Sequence, residues 1–192
     1  MRVIAGSFKG RKLTTVHDLS VRPATDRVKQ TVFDMLTNRM QFEGARVLDL
    51  FAGSGSLGIE ALSRGAEHVT FVENNEEAAR CIEHNVRSLG CEDATDIHET
   101  DAMSFILTVR SAFDLIFADP PYLFGSTLQI PSLVFRHEVL RHDGLLLIEH
   151  ASNMHFASTP EFHAGPEKKF GRTIVTFFRR GTHDHGEARD NS

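Results

Sequence analysis

Short apolar runs alternate with amphipathic segments through the middle of this chain. Runs of Val, Leu, Ile and Phe bounded by turn residues predict buried strands, whereas apolar residues repeating every three or four positions predict helices. The predicted strands are 46–51, 68–73, 95–99, 113–118 and 145–150, and the predicted helices between them are 56–64, 76–89, 102–109 and 132–140. Such alternation is typical of a parallel sheet covered by helices on both faces, with right-handed crossovers.

A different pattern precedes this region, in residues 1–43. Two short strands, 2–5 and 12–16, are predicted around a glycine-bounded turn, and a loop then leads to a helix that runs from an N-cap at Thr25 to about Met40. The apolar side chains of this helix recur every four residues: Val28, Val32, Leu36 and Met40. That stripe is expected to pack on the main body and to leave Arg27 and Lys29 free.

The pattern changes again after residue 150. Gly165-Pro166 predicts a turn, and the segments 168–170 and 173–179 predict a hairpin or an edge pair of strands. The predicted fold is therefore α/β, with a mostly parallel seven-stranded sheet that ends in an antiparallel edge pair. This domain covers 44–180 and follows a small extension of a β-hairpin and a helix. Residues 181–192 are polar, and we expect a disordered tail.

Composition fits one domain with a full core, because the chain has 192 residues and is 41% hydrophobic. No apolar run is long enough to span a membrane, and the first residues lack the apolar segment of a signal peptide. The two cysteines, Cys81 and Cys91, form no CxxC pair, which favours a reducing cytoplasm over a disulfide scaffold. We expect a cytoplasmic monomer.

Charge is distributed unevenly along the chain, whose net charge is -5. Residues 1–40 contain eight Lys or Arg against three acids, whereas the remainder contains 13 basic and 23 acidic residues. This asymmetry predicts a basic face for nucleic acid on an otherwise acidic body. The cations expected to hold phosphates on that face are Lys9, Arg11, Lys12, Arg22, Arg27 and Lys29.

Glycines follow the first strand of the alternating region. Gly53, Gly55 and Gly58 form a G-x-G-x-x-G pattern between strand and helix, which permits a tight turn and close approach of a ligand to the backbone. Glu73 ends the next strand, where an acid can accept hydrogen bonds from ribose hydroxyls. This pattern indicates an adenosine cofactor but does not separate NAD from S-adenosylmethionine.

Further candidate cofactor contacts lie beside these strand ends. Asp49 precedes the glycines and can face the amino group of a methionine moiety, and Asp101 can accept a hydrogen bond from an adenine amine. The candidate cofactor residues are Asp49, Ala52, Gly53, Gly55, Glu73, Asn74, Asp101 and Ala102.

A second loop, Asp119-Pro120-Pro121-Tyr122, follows the strand predicted at 113–118. We place that strand beside the first, at the topological switch point where open α/β sheets bind ligands. Because the prolines lack N–H donors, the loop offers two acceptors, the Asp119 carboxylate and the Pro120 carbonyl. Two acceptors can hold the hydrogens of an exocyclic base amine and favour a more tetrahedral, nucleophilic nitrogen, while Tyr122 stacks on the ring. The four loop residues are therefore candidate catalytic residues for methyl transfer.

Four functions fit these residues to different extents. An RNA base amino-methyltransferase explains both loops and the basic segment. A DNA adenine or cytosine amino-methyltransferase uses the same loops but usually needs a larger target-recognition region. An NAD-linked oxidoreductase leaves the loop 119–122 unexplained, and a non-enzymatic RNA-binding module leaves the glycines unexplained. The sequence contains no metal-ligand cluster, and no metal is expected.

The two loops, with Glu73 and Asp101, resemble class I S-adenosylmethionine-dependent methyltransferases that act on exocyclic amines. Residues 1–13, 21–28 and 47–66 more specifically resemble the RsmD family of bacterial 16S ribosomal RNA guanine-N2 methyltransferases, and the similarity extends in order over about residues 1–150. The N-terminal motifs, 1–13 and 21–28, are the specific part of this resemblance. The glycine loop and the loop 119–122 are widely shared among methyltransferases.

This resemblance implies S-adenosylmethionine as methyl donor and the N2 amine of one guanine in 16S rRNA as acceptor. It also implies that the substrate particle is the 30S subunit or an assembly intermediate of it. By carry-over, the basic segment engages RNA and the following residues lie near the target base: Arg22, Thr25, Asp26 and Arg27. A base in folded RNA must leave its stack to enter such a pocket.

Overall fold

The structure is a computed structural model that describes residues 1–16 and 26–181. The loop expected at 19–24, the N-cap expected at Thr25 and the tail beyond 181 lie outside these residues. The helices are α1 (Asp26–Thr37), α2 (Ser56–Ser63), α3 (Glu76–Leu89), α4 (Ala102–Thr108) and α5 (Ile130–Arg136). The strands are β1 (Arg46–Leu50), β2 (His68–Glu73), β3 (Thr95–Glu99), β4 (Phe113–Ala118), β5 (Leu140–Ala151), β6 (Phe162–Phe170) and β7 (Thr173–Arg180).

Seven strands form one sheet in the order β3-β2-β1-β4-β5-β7-β6. The strands from β3 to β5 in this order are parallel, and β7 runs antiparallel to both β5 and β6. The predicted mostly parallel sheet with an antiparallel edge pair is therefore confirmed. After β3 the chain crosses to β4 on the other side of β1, so the switch point lies between β1 and β4.

Helices cover both faces of this sheet. On one face, which we call the α1 face, α1, α2 and α3 pack on the strands, and the rings of Phe33 and Phe117 lie 5.6 Å apart. Helices α4 and α5 pack on the opposite face against residues such as Ile116. Successive strand residues alternate between the two faces. In β4, Leu115 and Phe117 therefore point toward α1, whereas Ile116 and Ala118 point to the opposite face.

The N-terminal segment packs on the α1 face as part of the same core, with Val3 and Leu13 buried. The fully buried Glu60 of α2 accepts backbone hydrogen bonds from Ile4 (2.8 Å) and Ala5 (3.0 Å). A buried carboxylate needs such donors, and they fix the segment against α2.

Near the N-terminus, two elements are shorter than predicted. The segments 2–5 and 12–16 form a single antiparallel bridge between Arg2 and Lys12 instead of two strands. The backbone N–H groups of Ile4, Phe8 and Thr14 donate to side chains of α2 and α3, so they are not available for a longer ladder between the two segments. Helix α1 ends at Thr37 and not at Met40, because the chain turns back and stacks Phe42 on Phe33.

Boundaries in the C-terminal half also differ. Helix α5 begins earlier and ends earlier than predicted, and the positive φ of 55° at Glu138 reverses the chain so that β5 starts at Leu140. Gly165-Pro166 does not form the predicted turn. It lies inside β6, at a register shift between Ala164 and Glu167, and the turn is formed at Gly171, whose φ is 61°.

Candidate active site

Four carboxylates line the end of the sheet at which the parallel strands terminate, which we call the catalytic edge. Glu73 ends β2, Asp49 lies in β1, and Asp119 and Glu149 lie at the ends of β4 and β5. The register pairs Asp49 with Phe117 and Ala118 with Ile148, so Asp119 and Glu149 follow at one level. By strand alternation all four side chains project on the α1 face. This brings together residues that are up to 100 positions apart in the sequence.

Three of these carboxylates have raised pKa values, chiefly because they are buried. Burial raises the pKa of Asp49 to about 8, the hydrogen bond from the Gly58 amide opposes this, and Glu73 adds to it. Burial raises the pKa of Asp119 well above its usual range, and the charges of Glu149 and Asp49 raise it further. Burial also raises the pKa of Glu149. Strongly perturbed acids in a cleft indicate a functional site.

The glycine loop begins directly after β1. Gly53 and Gly55 adopt positive φ angles of 56° and 77°, which L side chains rarely adopt. A Cβ on Gly53 would meet no atom within 4 Å, so this part of the loop faces open space. A Cβ on Gly58 would lie only 2.3 Å from the Phe71 ring, so Gly58 permits α2 to pack closely on β2.

Glu73 holds this loop in place. Its Oε2 accepts a hydrogen bond from the Gly53 amide at 2.7 Å, and its Oε1 accepts one from the Asn75 amide at 2.9 Å. Each oxygen keeps a second acceptor site, so a ribose hydroxyl can still bind. The sequence suggested only the ribose role, and the structural role of Glu73 was missed.

The remaining predicted cofactor residues surround the same edge. Asp101 is exposed and caps α4 by accepting from the Ser104 amide at 2.8 Å. Asn74 is exposed after β2, while Ala52 and Ala102 are buried behind the loops. The structure therefore brings all eight predicted residues to one end of the sheet.

The second loop leaves β4 at Asp119. Pro120 is buried and Pro121 is exposed, and the Pro121 carbonyl accepts a hydrogen bond from the Phe124 amide at 2.7 Å. The side chain of Tyr122 is 69% exposed, which leaves its ring free to stack on a ligand. Phe124 turns inward and contacts Phe51 of the glycine loop. Sequence reasoning missed this contact and the position of Glu149, since neither belongs to a motif.

The predicted RNA-binding cations lie in two different places. Lys9, Arg11 and Lys12 are exposed, but their segment is bonded to the C-terminal ends of α2 and α3, through Ser63 and Ser88. Both helices begin at the catalytic edge of the sheet and run away from it. This cluster therefore lies toward the opposite edge, away from Asp119.

Helix α1 begins at the catalytic edge. Asp26 and Arg27 are exposed there, while Arg22 and Thr25 lie outside the described residues. Val28 and Lys29 line a cavity of about 20 Å³ together with Asp119 and Glu149, room for about one water molecule.

The expectation that Lys29 is free in solvent is wrong. Its side chain is 1% exposed, and its Nζ lies 3.4 Å from Glu60 Oε2. The ammonium also donates to the Arg2 carbonyl (2.8 Å) and to Ser56 Oγ (3.1 Å). Lys29 shares a helix face with Phe33 and Leu36, so it faces the core and is paired there.

Most of the chain matches a known protein family. The family described as Conserved hypothetical protein 95 matches residues 1–179. This chain belongs to that family.

Two curated relatives of this family member span nearly its full length. Bacillus subtilis YlbH is 39% identical over 184 residues, which cover 94% of this chain and 99% of YlbH. Escherichia coli K12 Ribosomal RNA small subunit methyltransferase D is 30% identical over 189 residues, covering 98% of this chain and 94% of that protein. The solved structure of Escherichia coli yhhF superposes with a TM-score of 0.83 at 29% identity, covering 95% of this chain and 98% of that chain.

Within residues 1–16 and 26–181, no group of three His, Cys, Asp or Glu has the arrangement of a metal site. In the same part of the chain, every helix is too short or too polar to cross a bilayer.

Proposed function

We propose that this family member methylates ribosomal RNA, with S-adenosylmethionine as donor and the exocyclic N2 amine of a guanine in 16S rRNA as acceptor. The observation that carries the proposal is the loop of Asp119 and Pro120 at the switch point, beside the glycine loop. Membership of the family, and similarity over 94% of the Escherichia coli protein named Ribosomal RNA small subunit methyltransferase D, support the same activity.

The residues at the sheet edge fit the proposed cofactor. Gly53 faces open space, and the acids around it suit a cation with ribose hydroxyls: Glu73 for the hydroxyls, Asp49 for the ammonium of the methionine moiety and Asp101 for the adenine amine. NAD, by contrast, would leave the loop 119–122 without a role. When bound, S-adenosylmethionine supplies an electrophilic methyl group whose leaving group is a neutral thioether.

The loop 119–122 orients the acceptor amine. The Asp119 carboxylate and the Pro120 carbonyl accept hydrogen bonds from the two N–H groups of the amine. The nitrogen lone pair then points toward the methyl group that it attacks. The N–C bond forms as the C–S bond breaks, and the nitrogen then releases one proton. Asp119 is placed to take that proton or to pass it to water, and its raised pKa makes it a stronger base than an ordinary carboxylate.

The exposed ring of Tyr122 sets the plane of the target base. A guanine inside folded RNA must leave its stack, and an aromatic platform offsets part of the lost stacking free energy. Leu123, which is 91% exposed, extends the same apolar surface of the loop. The proposed substrate particle is the 30S subunit or an assembly intermediate, in the cytoplasm.

Transfer of labelled methyl from S-adenosylmethionine tests the proposal. Small subunits lacking their native base methylations are the main substrate, with naked 16S rRNA, tRNA, DNA and protein run in parallel. N2-methylguanosine in the small subunit or its rRNA is the expected product. Label only in DNA would favour a DNA amino-methyltransferase instead, and label in another RNA would overturn the assignment of the substrate.

A further inference from the structure

Glu149 stands beside Asp119 in the structure and belongs to neither sequence motif. Adjacent strands lie about 4.8 Å apart, and the register places Glu149 one strand further from the glycine loop than Asp119. A cofactor held by residues of β1 and β2 occupies one side of Asp119. The target base must therefore lie on the other side, over the end of β5, where Glu149 projects.

The Glu149 carboxylate has unused hydrogen-bonding capacity. It is partly buried, and no partner for a hydrogen bond or an ion pair is present among residues 1–16 and 26–181. The same holds for Asp119 in this part of the chain. Two neighbouring, half-buried carboxylates without partners are unfavourable for folding, and such groups persist where a ligand uses them. Their raised pKa values are consistent with this arrangement.

The chemistry of the bases indicates what two adjacent acceptors recognise. Guanine presents donors at N2 and at the neighbouring ring position N1, whereas adenine and cytosine present a ring acceptor beside their amine. A carboxylate at that point attracts the N1–H of guanine and repels the ring lone pair of adenine or cytosine.

We infer that Glu149 selects guanine at the target site by accepting a hydrogen bond from its N1–H while Asp119 holds the N2 amine. The inference rests on the proposed function and names the residue that gives it base specificity. A second acid is needed for base specificity, because Asp119 and Pro120 can hold the exocyclic amine of any base.

The test replaces the target guanine by 2-aminopurine, which keeps the N2 amine and lacks the N1 hydrogen. The base is introduced into 16S rRNA by ligation, at the position that the wild-type enzyme methylates. Wild type should show a kcat/KM at least about 100-fold lower on 2-aminopurine than on guanine, because a carboxylate is left facing a lone pair. The Glu149→Gln variant can donate to that ring nitrogen, so its preference for guanine should fall at least tenfold, with a higher kcat/KM on 2-aminopurine than wild type.

Controls separate this inference from the proposed function. Absence of guanine methylation by wild type would overturn the proposed function itself. Guanine methylation with an unchanged guanine preference in Glu149→Gln would overturn only the role of Glu149. Glu92→Gln, an exposed residue just before β3 at the opposite edge, should keep wild-type preference. Unchanged cofactor affinity in Glu149→Gln would show that the variant is folded.

The strand register also places a basic residue, Lys168, level with Glu149 across the sheet. Glu149 pairs with Val175, and Val175 pairs with Lys168, so Lys168 lies two strands further on and on the same face. That separation is about 10 Å. Lys168 is exposed, and Lys169 and Arg172 stand beside it at the tip of the β6–β7 hairpin. This tip lies at the catalytic edge, unlike the cluster of Lys9, Arg11 and Lys12.

We propose that the hairpin tip binds the RNA backbone next to the target nucleotide, with Lys168 as its main phosphate contact. Acidic side chains dominate this edge of the sheet, so the tip supplies the positive charge that a polyanion needs there. This second proposal depends on the position of Lys168 and not on the role of Glu149.

Salt dependence of RNA binding tests the tip. The triple variant K168Q/K169Q/R172Q should bind naked 16S rRNA about tenfold more weakly near 100 mM salt, with a shallower slope of log affinity against log salt. The variant K9Q/R11Q/K12Q loses the same charge at the other edge and should change the slope less. Lys168→Gln should have a larger effect than Lys169→Gln, since Lys169 points to the opposite face. Equal effects of the two triple variants would overturn the proposal.

Discussion

Phe51 and Phe124 meet edge to face, with ring centroids 5.0 Å apart and an interplanar angle of 68°. Phe51 lies in the glycine loop after β1, and Phe124 ends the turn that begins at Pro121. Phe51 also adopts a φ of 62°, which is unusual for a residue with a side chain. The loop proposed to bind the cofactor and the loop proposed to bind the base are thus in direct contact. A change in one loop is expected to affect the other.

Loss of this aromatic contact should weaken both loops together. Phe124→Leu keeps an apolar side chain but removes an edge-to-face pair that contributes about 0.5–1.5 kcal/mol beyond its buried area. We expect S-adenosylmethionine affinity to fall about threefold to tenfold, measured by calorimetry, although residue 124 belongs to the base loop. Phe156→Leu is the matched control, because Phe156 is also half-buried and packs edge to face on Phe178, on the sheet face opposite Asp49 and Asp119. Equal cofactor affinity in both variants would show that the two loops are independent.

Asp119→Ala should separate chemistry from cofactor binding. The substitution removes an acceptor for the target amine and a base for its proton, so we expect methyl transfer to fall at least about 100-fold. S-adenosylmethionine affinity should stay within a few-fold of wild type, because the proposed cofactor contacts come from β1, β2 and the start of α4. Comparable losses of transfer and of cofactor binding would contradict the role given to Asp119.

The pair of Asp119 and Glu149 should give the reaction a distinctive pH dependence. Both pKa values are raised, so the acceptors are protonated at pH values where ordinary carboxylates are ionised. The rate of single-turnover methylation should therefore increase with pH. This rising limb of the pH–rate profile should lie above the usual range of carboxyl pKa values. In Glu149→Gln one like charge is gone, so the limb should move to lower pH. A limb at the same pH in both proteins would mean that the two groups do not interact.

Much of the fold and of the candidate cofactor site was predictable from the sequence because the signals are local. Buried strands such as 113–118 are continuous apolar runs, and Gly53 and Asp119 follow such runs directly, where parallel strands place their ligands. Glu149 was not predictable in this way. It follows an apolar run too, but only the strand order, which puts β5 beside β4, brings it next to Asp119.

The position of Lys29 was mispredicted for a different reason. Spacing of four residues from Val28 defines a stripe along α1, yet Lys29 lies on the same helix face as Phe33 and Leu36. A lysine on an apolar face is normally assigned to solvent. Here the buried carboxylate of Glu60, contributed by another helix, makes the inward orientation favourable, together with the oxygen acceptors of Arg2 and Ser56.

Asp49 should link stability to pH. Its pKa is about 8 in the folded chain against an ordinary value of 3.8, so the folded state binds more protons than the unfolded state between these values. Stability should therefore fall as pH rises from about 4 to about 8, by up to about 1.4 kcal/mol per pH unit, and level off above that. Asp49→Asn removes this loss, so its Tm should exceed that of wild type more at pH 9 than at pH 5. S-adenosylmethionine affinity should fall in the same variant, since a carboxylate facing the cofactor's ammonium is lost. A Tm difference independent of pH would show that Asp49 does not titrate in this window.

Lys29 should behave as a structural residue and not as an RNA contact. Lys29→Met removes one partner of a buried ion pair and leaves the Glu60 carboxylate with less compensation, so we expect a loss of about 3–5 kcal/mol in the free energy of unfolding. Denaturant titration at neutral pH measures it. Arg27→Gln, two residues earlier on the exposed side of α1, should change the free energy of unfolding by less than about 0.5 kcal/mol. At temperatures where both variants are folded, Arg27→Gln should flatten the salt dependence of RNA binding and Lys29→Met should not. The reverse pattern would return Lys29 to the RNA surface.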